Sequence, residues 1–114
     1  MQPPNPNPNH PLSEQYRLAA IKWTDADSAA DLLESTKSAV FSQRVNTLME
    51  ATPKLSTAKA ETMVRASMEW WDHVRKIVAA RKHANLLRVD VRVIEMKHRE
   101  WISDDANKRA ESRL

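Results

Sequence analysis

Not one of the 114 residues is glycine. Average usage is roughly 7%, so about eight would be expected in a chain of this length. Glycine reaches positive φ without steric cost, and two-residue hairpin turns, phosphate-cradling loops and left-handed helix caps depend on it. Its absence excludes a Gly-x-Gly-x-x-Gly dinucleotide loop and a Walker loop, and argues against a barrel of many hairpins. The length is about that of one domain, and the natural way to build it without glycine is from helices.

Cysteine is also absent. That removes disulfides, thiolate zinc sites, iron–sulfur clusters and a cysteine nucleophile, while leaving the redox compartment open. No apolar run approaches the roughly 20 residues that a membrane span needs, and the start of the chain has neither the basic nor the apolar region of a signal peptide. The sequence therefore reads as a cytoplasmic protein without membrane contact. Its net charge of +3 is uneven: residues 1–53 hold 4 basic and 6 acidic side chains, and residues 54–114 hold 14 and 9. Any anionic partner would meet the second half.

Residues 1–12 carry Pro3, Pro4, Pro6, Pro8 and Pro11 among Asn5, Asn7 and Asn9. This composition favours an extended, solvated tail and is expected to be disordered. Residues 13–114 are expected to form a single all-α domain. A short helix from Ser13 to about Trp23 should break at the cap-forming cluster Thr24, Asp25 and Asp27, and a second helix should run from Ser28 to Ala51. In that second helix Leu32, Leu33, Val40, Val45 and Leu48 share one apolar face. Pro53 stops it, and Ser56 or Thr57 can cap the next helix.

From there to about Arg109 neither proline nor glycine intervenes. Apolar or small residues recur at Ala60, Val64, Ser67, Trp71, Val74 and Val78, then at Ala84, Leu87, Val91, Ile94, His98 and Trp101. The spacing predicts one long coiled-coil-like helix whose seam shifts face at Arg81, as at a stammer. Leu87, Val89, Val91 and Val93 also alternate with polar residues, which is a strand pattern. No second alternating run or turn offers a partner, so the helix is preferred. The fold expected is an antiparallel helical hairpin with one long C-terminal helix. Its shorter arm would leave Leu87, Val91, Ile94 and Trp101 bare, which implies an oligomer, most simply a homodimer, or a protein partner.

Chemistry-bearing motifs are sparse. Glu95 and His98 have the Glu-x-x-His spacing of di-metal bundles, and Glu69 with His73 is a weaker pair, but neither has a second copy or further ligands. A surface histidine beside an acid is the simpler reading, and no metal or cofactor is expected. Serines such as Ser67 and Ser103 have no strand-to-helix elbow or oxyanion loop, so an enzyme is not expected.

Arg81, Arg88, Arg92 and Arg99, with Lys97 beside them, form a basic stripe along the long helix. With Trp70, Trp71 and Trp101 nearby, such a stripe suits single-stranded nucleic acid through phosphate contacts and base stacking. A solvated face laced with i,i+4 ion pairs accounts for the same charges. Trp71 and Trp101 fall on the seam and should pack in a core or interface. Trp70 lies one position off it, and exposed there it would be a partner anchor.

The run Ala84, Leu87, Arg88, Val91, Arg92, Met96, Lys97, Arg99 and Glu100, closing on Trp-x-Ser-x-x-Ala-Asn-x-Arg-Ala-Glu from Trp101 to Glu111, resembles small helical proteins of tailed bacteriophages and prophages. The resemblance covers residues 57–111. It implies an accessory protein that works with a DNA recombination or replication partner. Direct binding of single-stranded DNA through the basic stripe, or a structural or assembly role in the virion, are the alternatives.

Overall fold

A computed structural model describes residues 11–113. The chain is all-α: α1 spans Leu12–Ser35, α2 Lys37–Ala51, α3 Thr57–Ala66 and α4 Met68–Ser112. Among the described residues no helix is long and apolar enough to cross a membrane. The tail expected over residues 1–12 lies outside the described residues as far as residue 10. At its end, the Pro11 carbonyl accepts from the amides of Glu14 and Gln15, and α1 is under way by Leu12.

The break expected at Thr24–Asp27 does not occur. The Thr24 hydroxyl instead donates 2.8 Å back to the Ala20 carbonyl within an unbroken helix. A gentler interruption comes at Thr36, which keeps right-handed helical dihedrals. Its hydroxyl and that of Ser35 both donate to the Leu32 carbonyl, a competition with the backbone ladder of the kind that bends helices. Pro53 follows α2 as expected. The turn puts Lys54 at φ 71°, a left-handed position that a chain without glycine must fill with a residue bearing a Cβ. Ser56 is the cap of α3, its hydroxyl accepting from the Lys59 amide at 3.2 Å.

The long helix expected from residue 57 is divided at Ser67. That single residue has extended dihedrals; its hydroxyl accepts from the Trp70 amide at 3.2 Å and donates to the Val64 carbonyl at 2.7 Å. One side chain thus closes α3 and opens α4. Residues 86–94 are helical, as preferred over a strand.

The described chain divides into two compact units, residues 26–83 and residues 11–25 with 84–113. In the 26–83 unit α2 packs on α3, and the core is Val45, Ala60, Val64 and Trp70, with Phe41, Leu48 and Val74 partly buried against it. Phe41 meets Trp70 edge-on, ring centroids 5.1 Å apart. Ala30 and Ile77 are also buried in this unit. In the other unit Ala84 and Val91 are buried, and Trp23 of α1 lies under the Arg88 guanidinium.

Candidate functional site

Buried positions on α4 recur every seventh residue at Trp70, Ile77, Ala84 and Val91. The face shift expected at Arg81 is therefore absent, and the reason lies at Ser67. A seam phased from Ala60 and Val64 and extended through that helix break falls one residue out. As a result the two neighbouring tryptophans exchange roles: Trp70 is 8% exposed and Trp71 52%. Trp71 is not in the core, and Trp70 is not a free anchor.

Arg81 donates four side-chain hydrogen bonds across to α1. Asp27, Asp31 and Glu34 lie on one face of α1 at helical spacing and converge on it. Nε donates to Glu34 at 2.8 Å, one terminal nitrogen to Asp27 at 2.6 Å, and the other to Asp31 at 2.5 Å and Glu34 at 3.0 Å. The hydrogen bond to Glu34 first, then those to Asp27 and Asp31, hold the guanidinium more firmly protonated than usual. Reciprocally, the hydrogen bond from Arg81 lowers the Glu34 carboxyl below its ordinary value, against a smaller effect of burial. All five N–H donors of an arginine form a fixed fork, and three carboxylates claim most of this one. Arg81 is thereby withdrawn from the basic stripe as a phosphate contact.

The rest of the stripe behaves differently. Arg88 sits 5.8 Å over the Trp23 ring, a cation–π contact. Arg92, Lys97 and Arg99 are exposed, and their side chains make no ion pair or hydrogen bond among the described residues. Arg99 also borders a shallow groove of about 390 Å³ with Leu12, Tyr16, Ile94, Glu95 and His98. Glu95 and His98 are thus brought to one groove. Among the described residues no group of three or more metal-ligating side chains forms. Glu69 is 3.6 Å from Arg44 rather than in a pair with His73, whose ring tilts against Trp70.

Of the residues expected to lack cover, Val91 is 4% exposed and Leu87 and Ile94 are half-buried, and Ile94 shares a groove with Leu12 and Tyr16 of α1. Trp101 is exposed and stacks on His98, ring centroids 6.3 Å apart.

What periodicity concealed is a second apolar stripe on the opposite side of α4. Leu86, Val89, Val93 and Met96 are 41 to 58% exposed and spaced 3, 4 and 3. At about 100° per residue, this stripe lies roughly half a turn from Ala84, Leu87, Val91 and Ile94. The strand-like alternation of Leu87, Val89, Val91 and Val93 is the sum of these two stripes, one residue inward and the next outward.

No family model, curated protein or solved structure matches the chain.

Proposed function

We propose that this is a non-enzymatic interaction protein, a helical hairpin of coiled-coil type that pairs with a second copy of itself through the outward face of α4 and, as a pair, serves a DNA-processing protein partner. The observation that carries the reading is the outward stripe Leu86, Val89, Val93 and Met96. Its 3-4-3 spacing is that of coiled-coil a and d positions, which bury themselves against another helix of the same kind. An apolar helix stripe can meet a second copy of itself about a twofold axis, which closes the contact without leaving an open end. Contiguous apolar surface of this length on a soluble helix signifies a contact. The DNA-processing partner comes from the resemblance of residues 57–111 to phage accessory proteins, with which the basic second half of the chain is compatible.

Light scattering across a concentration series tests the pairing. Wild-type protein should show twice the chain mass. Val89→Glu with Val93→Glu should show the chain mass at unchanged helicity, because both positions are already exposed and only the paired state buries the charges. A wild-type monomer at all concentrations, or a dimer indifferent to the double substitution, removes the reading.

A further inference from the structure

Beside α2, in the 26–83 unit, a groove of about 550 Å³ has an aromatic wall of Phe41, Trp70 and Trp71 and a polar rim of Lys37, Ser38, Ser42 and Arg65. No carboxylate lines it. Its wall is rigid: Trp70 is held in the core, edge-on to Phe41, and leaves the half-exposed Trp71 indole as an open platform next to it.

The rim is only partly committed. The Lys37 side chain makes no hydrogen bond or ion pair among the described residues. Arg65 lies 5.0 Å over the Phe41 ring and has one long contact, 3.8 Å to Glu61, so most of its N–H donors remain unused. The hydroxyls of Thr36, Thr47 and Ser67 are spent on backbone carbonyls, whereas those of Ser38 and Ser42 make no hydrogen bond among the described residues.

A flat aromatic face beside one unpaired cation, a second with most of its donors unused, and free hydroxyl donors matches the two halves of a nucleotide, a base with an open π-face and a phosphate. Duplex nucleic acid hides its base faces and cannot use the platform. An open groove, rather than an enclosed cavity, suits a strand that passes through. We infer that this groove binds single-stranded nucleic acid, with a base stacked on Trp71 and backbone phosphates against Lys37 and Arg65. The groove shares no residue with the outward stripe of α4 or with Arg92, Lys97 and Arg99, so separate substitutions test it and the pairing.

The test is fluorescence anisotropy of a labelled oligothymidine with the full chain, from about 50 to 200 mM salt, a range over which phosphate contacts declare themselves. Two contacts on a single strand give a log–log salt slope of about −1.4. Loss of the stacking platform in Trp71→Ala should weaken binding by about tenfold or more. Lys37→Gln with Arg65→Gln should flatten the slope towards zero; all three side chains are exposed, and circular dichroism should show unchanged helicity. Four results overturn the inference. They are no binding at the lowest salt, equal binding of a duplex, equal binding of the mononucleotide, and loss of binding in Arg92→Gln with Arg99→Gln while the groove variants bind like wild type.

Discussion

Trp70 and Trp71 are adjacent, chemically identical and placed oppositely, so truncating each in turn measures which face of α4 is inside. An aromatic side chain buries roughly 150–250 Å² when fully covered. The difference between 8% and 52% exposure means that Trp70 hides about 90 Å² more than Trp71, worth about 2 kcal/mol at about 25 cal/mol per Å². The edge-on contact with Phe41 adds about 0.5–1.5 kcal/mol. A hole left among Val45, Ala60 and Val64 has little around it to collapse inward, which places Trp70→Ala at about 3–5 kcal/mol. Trp71→Ala should cost about 1 kcal/mol or less, as exposed substitutions do. Urea unfolding followed by circular dichroism reads both without relying on tryptophan emission; Trp70→Leu gives a measurable midpoint should the alanine variant not fold. Equal costs, or a larger cost at Trp71, would refute the seam at Trp70, Ile77, Ala84 and Val91.

Two more expectations concern the polar contacts. Ser67→Ala removes the hydroxyl that caps α4 and should destabilise by about 1 kcal/mol, with Ser67→Asp recovering much of it; equal stability of all three would show that the α3–α4 break needs no cap. Arg81 lowers the Glu34 carboxyl below its unfolded value, so the stabilisation from this pair is complete above the unfolded glutamate range and is lost as the pH falls through the lowered folded value. The wild-type urea midpoint should therefore drop more steeply in acid than that of Glu34→Gln, and parallel curves would take Glu34 out of the account.

The fold class was legible because the features that set it are local. Absent glycine, long proline-free runs and the Pro53–Ser56 junction state the helices and one of the turns outright. The Ser67 break was hidden because serine is only mildly unfavourable inside a helix, and Ser67 happens to continue the spacing of Ala60 and Val64. Its partners, the Val64 carbonyl and the Trp70 amide, are backbone groups that leave no mark in a sequence. That one omission misplaced Trp71 and suggested a stammer at Arg81. The cluster Thr24, Asp25 and Asp27 misled in the opposite sense. Asp27 is polar for the sake of a guanidinium 54 residues away, and a long-range charge pair looks like a cap until both ends are seen. The groove beside α2 could not be read at all, since Lys37, Arg65 and Trp71 come from three different helices.

An α-helix with oil on two opposite sides can face its neighbour in two ways. Turned by about half a revolution, α4 would offer Leu86, Val89, Val93 and Met96 where Ala84, Leu87, Val91 and Ile94 now sit. Hydrophobicity is a poor judge between two such packings, and a chain guided by it alone would sample both. Arg81 distinguishes them, because its azimuth on the helix is fixed and one rotation alone delivers it to Asp27, Asp31 and Glu34. The other rotation strands three carboxylates together without a counter-ion. Half-exposed ion pairs add little to net stability. Their best-attested service at helix interfaces is the choice of register, and here they join the buried Trp70 and Ile77 in holding the rotation of α4 within the 26–83 unit.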